Sequence, residues 1–198
     1  MEPENIYYNK KKLRKEIAAR VRALPLSARE RASAEIARQV LQLPEYRDAA
    51  SIFLYIAMPT EPDTRAILTQ ALSDGKRVYV PKCVGDHDML AVRVSGMDAL
   101  RPGAYGIWEP QDCSETAEAD ALDLLIVPCV AASVDGRRLG HGKGYYDRFL
   151  AGGARKTVCL CFAAALCDAI PTEPTDVKMH RVVFETVQSQ RNDRSIVF

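Results

Sequence analysis

The run LLIVPCV at residues 124–130 decides the fold of this 198-residue chain. A continuous apolar run of this length, followed by turn signals, is typical of a strand that is buried on both faces of a sheet. A glycine-rich loop follows the run, and residues 145–150 then predict a helix. A buried strand, a loop and a helix in this order predict one unit of an α/β fold.

Strands and helices alternate on both sides of this unit. Apolar runs predict further strands at residues 51–57, 77–80, 89–94, 157–162 and 182–186. Apolar spacing and helix-start signals, including a capping box that begins at Ser27, predict helices at residues 10–24, 27–43, 65–73 and 164–170. We therefore expect one domain over residues 1–198, of the α/β class: an α/β/α sandwich with a mostly parallel sheet.

The composition excludes several classes of protein. Hydrophobic residues make up 47% of the chain and charged residues 27%, which argues against disorder. The net charge of +1 favours neither nucleic acid nor membranes as partners. Residues 1–40 contain ten basic and five acidic residues, and the simplest explanation of this excess is a helix face exposed to solvent. The six cysteines include no C-x-x-C pair, which predicts reduced thiols. The N-terminus is polar, and no apolar run reaches about 18–20 residues. Together these features predict a cytoplasmic protein.

The glycine-rich segment RRLGHGKGYYDR, residues 137–148, carries the strongest chemical signal. Its three alternating glycines let backbone N–H groups approach a polyanion, and the predicted helix start points the same way. Arg137, Arg138 and Lys143 add cations of the kind that bind phosphate. Gly144 stands where a Walker A loop needs Ser or Thr, and the G-x-G-x-G spacing is not a Rossmann fingerprint. We favour phosphate binding over a purely structural turn.

Three unusual loops leave the ends of predicted strands, at residues 58–64, 133–144 and 171–180. Because ligands of open parallel sheets bind beyond the carboxyl ends of the strands, we expect these loops to meet at one edge. They and the helix at 145–150 carry three candidate carboxylates: Glu61, Asp147 and Asp176. Mg²⁺ takes one or two carboxylates together with phosphates and water, so Asp147 and Asp176 are candidate metal ligands, although loop Asp residues more often cap turns.

At this point the chain resembles a known family. The run RRLGHGKGYYDRFL at residues 137–150 is similar to the signature of 5-formyltetrahydrofolate cyclo-ligases, also called 5,10-methenyltetrahydrofolate synthetases. KKKLR at 10–14 resembles the basic helix start of that family, and IAMPTE at 56–61 resembles its substrate loop. GAYGIWEP at 103–110 resembles a further segment, whereas His180 stands where the family often has Asp, and we assign it no role.

The resemblance implies a role for each matched residue. The implied ATP-binding residues are Lys10, Lys11, Lys12, Leu13, Arg14, Arg138, Leu139, Gly140, His141, Gly142, Lys143, Gly144, Tyr145 and Tyr146. The implied folate-binding residues are Ile56, Glu61, Trp108, Tyr145 and Tyr146, although core packing is the commoner role of aromatic rings. Asp147 and Asp176 would bind Mg²⁺, and Arg138 and Lys143 would be the catalytic cations.

The implied activity is an ATP- and Mg²⁺-dependent ring closure. ATP would phosphorylate the formyl oxygen of 5-formyltetrahydrofolate, N10 would attack the activated carbon, and 5,10-methenyltetrahydrofolate, ADP and phosphate would result. We expect a monomer in the cytoplasm that binds these small molecules and neither nucleic acid nor membrane. The alternatives are a nucleotide-binding regulatory module without turnover, and an enzyme related to sugar-phosphate isomerases or CoA transferases, which share only a broadly similar architecture.

Overall fold

The computed structural model describes residues 3–86, 88–103, 106–153 and 156–186. Its helices are α1 (Pro3–Arg22), α2 (Leu26–Gln42), α3 (Pro44–Asp48), α4 (Arg65–Ser73) and α5 (Tyr145–Leu150). The strands are β1 (Ser51–Leu54), β2 (Arg77–Val84), β3 (Asp88–Val94), β4 (Leu100–Pro102), β5 (Trp108–Pro110), β6 (Thr116–Ala117), β7 (Leu124–Pro128), β8 (Ala131–Ala132), β9 (Arg138–Leu139), β10 (Thr157–Leu160) and β11 (Arg181–Val183).

Within the described ranges, a seven-stranded sheet forms the centre of the molecule, in the order β11-β10-β7-β1-β2-β3-β6. Five neighbouring strands, from β11 to β2, run parallel, and β3 and β6 extend the sheet antiparallel. The α/β class and the mostly parallel sheet are therefore confirmed. Strands β4 with β5 and β8 with β9 form two small antiparallel ladders, which the sequence analysis did not predict.

The central strands are covered on both faces. Phe53 of β1 is buried and packs its ring against Phe149 of α5, with 5.2 Å between the ring centroids. Its neighbours Ile52 and Leu54 point to the opposite face, and neither is exposed to solvent. Burial on both faces requires a layer on each side of the sheet, as the sandwich architecture predicts. Asp123 aligns β1 with β7 by accepting hydrogen bonds from the backbone N–H groups of Ala50 and Ser51.

Two local predictions are wrong. The chain at 164–170 is not a helix but a single 3₁₀ turn at Ala163–Ala165. Leu166 then lies in an extended bridge with Ala132, whose carbonyl accepts the N–H of Cys167, so a tertiary contact replaces the helical hydrogen bonds. The capping box at Ser27 does not form either, because α2 begins at Leu26, directly after Pro25.

The bounds of α4 and α5 agree with the prediction, and α2 agrees at its C-terminal end to within one residue. The predicted strand at 124–130 is confirmed, although its ladder ends at Pro128. Over the described residues, the structure contains no helix that is long and apolar enough to cross a membrane.

Candidate active site

Three loops meet at the carboxyl edge of the sheet, as the sequence predicts. They follow β1, β7 with its small β8–β9 ladder, and β10, and these three parallel strands are neighbours in the order β10-β7-β1. Together with α1 and β2 they surround a cavity of about 470 Å³, which we call the glycine-loop cavity. Its volume falls within the range of small-molecule sites.

Helix α1 supplies two cations to the wall of this cavity. Lys10 is buried, and its Nζ lies 2.6 Å from Oδ2 of Asp176 and 2.7 Å from Oε2 of Glu173. Arg14 donates from Nε to the carbonyl of Gly140 at 2.8 Å, so the helix contacts the glycine loop directly. Partial burial lowers the pKa of Arg14 from its ordinary value, and nearby carboxylates oppose that shift.

The glycine loop needs its glycines for two different reasons. Gly142 and Gly144 have φ angles of +99° and +72°, which side-chain-bearing residues rarely adopt. A Cβ atom on Gly142 would also lie only 3.2 Å from the guanidinium carbon of Arg14. Lys143 between them is exposed and lines the cavity, whereas Arg137 does not line it and pairs with Asp135 instead. Of the loop cations, the structure therefore brings Arg138 and Lys143 to the cavity.

Arg138 is a second buried cation in the wall of this cavity, besides Lys10. Its side chain is only 2% exposed, and one guanidinium nitrogen lies 2.6 Å from Oδ1 of Asp147. The guanidinium carbon lies 5.7 Å from the centroid of the Tyr146 ring, and Nε is buried without a hydrogen-bond partner among the described residues. A buried charge with unused donor capacity at a cavity wall is suited to an anionic ligand.

Asp147 contacts the chain next to Asp176, since its Oδ1 also accepts the backbone N–H of Val177, the following residue, at 3.3 Å. One oxygen of each carboxylate is used by a cation, Arg138 or Lys10. The other oxygen of each has no hydrogen-bond partner among the described residues, so both could bind a hard cation. The described chain contains no group of three or more His, Cys, Asp or Glu that could hold a metal by itself. Two carboxylates fit Mg²⁺ whose remaining ligands are phosphates and water.

The loop after β1 presents a buried carboxylate to the same cavity. Oε2 of Glu61 accepts the N–H of Met58 at 2.8 Å, and Oε1 lies 3.0 Å from Nε2 of His141. The loop is held in place by Tyr55, whose hydroxyl donates to the carbonyl of Pro62 at 2.7 Å. Burial, with the charge of Glu61, raises the pKa of that hydroxyl well above its ordinary value. Ile56 is buried beside the carboxylate and lines the cavity.

The aromatic candidates divide between two cavities. Tyr145 and Tyr146 line the glycine-loop cavity, where burial and the Glu61 charge raise the pKa of Tyr146. Trp108 is 47% exposed and lines a second cavity of about 920 Å³, which we call the Trp108 cavity. The two cavities share three lining residues, Ile56, Met58 and Glu61, so they are adjacent.

Some implied ATP-binding residues lie elsewhere. Lys11 and Lys12 are exposed on α1 and do not line the glycine-loop cavity, and Leu13 packs against the core. Leu139, Gly140 and His141 do line it. The ATP contacts of Lys11, Lys12 and Leu13 therefore stay predictions. His180 hydrogen-bonds Thr157 at 2.8 Å, which ties the segment before β11 to the start of β10.

The cavity wall also contains three residues that the sequence patterns did not single out: Glu109, Cys83 and Glu173. Glu109 is buried, accepts the N–H of Cys83 at 3.3 Å and lies 3.8 Å from Nζ of Lys82. Burial raises the pKa of the Cys83 thiol to about 11, and the Glu109 charge adds to the shift. Glu109 lies within the segment at 103–110 that resembles the family, and this position was the signal that could have indicated it. Ala104 and Tyr105 of the same segment lie outside the described residues.

Comparison with known proteins gives one consistent family. A family model described as the 5-formyltetrahydrofolate cyclo-ligase family matches residues 7–185. A probable 5-formyltetrahydrofolate cyclo-ligase of Schizosaccharomyces pombe is 40% identical over 122 residues, which span 60% of each chain. The 5-formyltetrahydrofolate cyclo-ligase of Mus musculus is 31% identical over 189 residues, covering 89% of this chain and 93% of the mouse protein.

A solved structure shares the fold as well. The NMR structure of Aquifex aeolicus 5,10-methenyltetrahydrofolate synthetase superposes with a TM-score of 0.79 at 26% identity. The match covers 93% of this chain and 98% of that one.

Proposed function

The chain belongs to the 5-formyltetrahydrofolate cyclo-ligase family, a family of ligases, and on that premise we propose that it converts 5-formyltetrahydrofolate to 5,10-methenyltetrahydrofolate with cleavage of ATP to ADP and phosphate. One observation supports this most directly. One cavity is lined both by the cations of α1 and the glycine loop and by the buried carboxylate of Glu61. The 3.0 Å contact between Glu61 and His141 connects the carboxylate to the glycine loop. A polyphosphate and a pterin would therefore bind side by side.

The basic part of the glycine-loop cavity is the proposed ATP site. Lys10, Arg14 and Lys143 line it together with the loop glycines, and Arg138 adds a buried guanidinium. Charge-assisted hydrogen bonds from such groups are the usual contacts of phosphate oxygens. Asp147 and Asp176 would hold Mg²⁺, which would neutralise phosphate charge when bound.

Glu61 is the proposed recognition group for the pterin. Each carboxylate oxygen has two lone pairs, and the Met58 and His141 contacts use one on each oxygen. Two lone pairs therefore remain for the paired N–H donors of the pterin. Ile56 and Tyr146 give this part of the cavity apolar walls, and the adjacent Trp108 cavity would accept the rest of the folate.

The proposed reaction transfers one oxygen from carbon to phosphorus. The formyl oxygen attacks the γ-phosphorus and ADP leaves; N10 then attacks the activated carbon, and the oxygen departs with the phosphate, which also takes the N10 proton. This chemistry needs positioning and charge neutralisation rather than a side-chain nucleophile. Arg138 and Lys143 are the cations that would stabilise the charge of the transferring phosphoryl group.

The deciding experiment is an ATP-consumption assay with and without 5-formyltetrahydrofolate. We expect ADP and the methenyl product in equal amounts, formed only when both substrates are present. Substrate that carries ¹⁸O in its formyl group should deliver that oxygen to inorganic phosphate, and γ-³²P-ATP should leave no label on the protein. ATP binding without turnover would identify a regulatory module instead. A labelled protein, or phosphate without the heavy oxygen, would exclude the direct transfer.

A further inference from the structure

One hydrogen bond connects the two halves of the proposed site. Nε2 of His141 lies 3.0 Å from Oε1 of Glu61, although 80 residues separate them in the sequence. Glu61 has a side chain that is only 3% exposed, whereas the His141 side chain is 46% exposed. The carboxylate is thus buried in the protein, while its imidazole partner extends from the surface loop that carries the proposed phosphate contacts.

The position of His141 depends on the glycine loop around it. The preceding carbonyl, of Gly140, accepts a hydrogen bond from Arg14, and the following residue, Gly142, packs close to the same guanidinium. Phosphates that bind Arg14 and Lys143 would order this loop and with it the imidazole. No comparable second contact holds Oε1 of Glu61 among the described residues, since its other hydrogen bond, from Met58, is made by Oε2.

We propose that His141 is a positioning residue that couples nucleotide binding to folate binding through Glu61. This inference rests on the function proposed above and deepens it. With a proton on Nε2, the imidazole donates to Oε1 and orients the carboxylate while two lone pairs stay open for the pterin. A nucleotide that orders the loop makes this hydrogen bond more persistent, so the carboxylate is already oriented when the folate arrives.

The coupling has a definite sign. Because the nucleotide removes part of the ordering cost of the folate site, it should tighten folate binding, and the folate should tighten nucleotide binding by the same factor. The contribution of His141 should appear mainly in the KM for the folate, since the imidazole lies at Glu61 and has no place in the phosphoryl transfer itself.

The test compares His141→Ala with His141→Gln. In Gln, Nε2 is the same number of bonds from Cβ as Nε2 of His, so Gln keeps a donor that reaches Glu61. Val134→Ala is the matched control, because Val134 is 75% exposed, lies in the β8–β9 connection that precedes His141 in the chain, and does not line the cavity. The affinity for 5-formyltetrahydrofolate is measured by calorimetry with and without a non-hydrolysable ATP analogue and Mg²⁺, and the steady-state kinetics are measured in parallel.

In the wild type and in Val134→Ala we expect the analogue to tighten folate binding about fivefold or more, within the usual range of coupling between two sites. His141→Ala should lose most of this factor and raise the KM for the folate about 5- to 20-fold, with kcat changed by less than about threefold. His141→Gln should restore both quantities. If His141→Ala fails to fold, His141→Asn replaces it, because the Asn amide is one bond too short to reach Glu61.

The outcomes separate this inference from the proposed function. A wild-type protein that neither binds nor converts 5-formyltetrahydrofolate would refute the proposed function itself. An active wild type whose coupling is absent, or is fully kept in His141→Ala, would refute the role of His141 alone. A loss in His141→Ala that Gln does not rescue would also refute it, because the donated hydrogen bond would not be the cause.

Discussion

Replacement of Glu61 by Gln should remove folate recognition while leaving the nucleotide site intact. Gln has the same shape, but only one of its terminal atoms accepts hydrogen bonds. The N–H of Met58 lies 2.8 Å from Oε2 and would bind the new carbonyl oxygen. The amide NH₂ would then face His141 and the pterin donors, where the wild type has an acceptor.

The expected magnitude follows from the hydrogen bonds that are lost. Each hydrogen bond to a charged group contributes about 1.5–3 kcal/mol, so the loss of two pterin contacts should lower kcat/KM for the folate by about 10²–10⁴. Because the contact with Met58 is kept and His141 can change its tautomer, the free energy of unfolding should fall by less than about 2 kcal/mol.

The assay is steady-state turnover with the folate varied, accompanied by calorimetric binding of a non-hydrolysable ATP analogue and by thermal unfolding. The analogue should bind Glu61→Gln within about threefold of wild type. The two proteins differ only at the residue that contacts the pterin, so they share every phosphate contact. Glu115→Gln is the matched control, because Glu115 is a surface carboxylate paired with Arg93. A kcat/KM within tenfold of wild type in Glu61→Gln would refute the assignment of this carboxylate to the pterin.

Further predictions concern the phosphate side and the thiols. Lys143→Met should lower kcat by about 10²–10³ without unfolding the protein, because it removes one preorganised charge at the proposed transferring phosphate. Asp147→Asn and Asp176→Asn should each raise the Mg²⁺ concentration needed for half-maximal rate, measured by magnesium titration. Mild alkylation at pH 8 should leave activity unchanged: with a pKa of about 11, only about one Cys83 thiol in a thousand is a thiolate there. Inactivation by alkylation should become faster as the pH rises towards 11, and bound folate should slow this inactivation.

Each of these expectations has a contradicting result. A Lys143→Met enzyme within about threefold of wild type would remove this lysine from catalysis. Unchanged magnesium titrations in both aspartate variants would return these carboxylates to a role in holding Lys10 and Arg138. Rapid inactivation by alkylation at pH 8, with the fold retained, would reveal a functional thiol. The buried positions of Cys129, Cys159 and Cys161 make them poor targets for the reagent.

Local sequence patterns predicted most of the fold because the interactions behind them are local or periodic. Helix-start signals located α4 and α5 with the observed bounds, and the continuous apolar run at 124–130 located the central strand β7. The same reasoning failed at 164–170, where the alanine-rich composition favours a helix. There the N–H of Cys167 donates to Ala132 of a different strand, and that contact is not encoded in the local sequence.

The candidate site was predicted in part for a similar reason. Parallel strands place their carboxyl ends at one edge, so the sequence alone could indicate that Glu61, Asp147 and Asp176 share a site. It could not distinguish Arg137 from Arg138, although they are adjacent. The structure places Arg137 against Asp135 on the surface, in the turn before β9, and Arg138 in the buried wall, as the first residue of β9.

What the sequence by itself determined was the α/β class, the order of the elements and the motifs that identify the family, because these depend on periodicity and on residue identity along the chain. Only the tertiary structure decided which side chains meet. Lys10 contacts Asp176 across 166 positions, and His141 contacts Glu61 across 80. Such contacts depend on how the layers pack, and packing is a property of the whole chain rather than of any one segment.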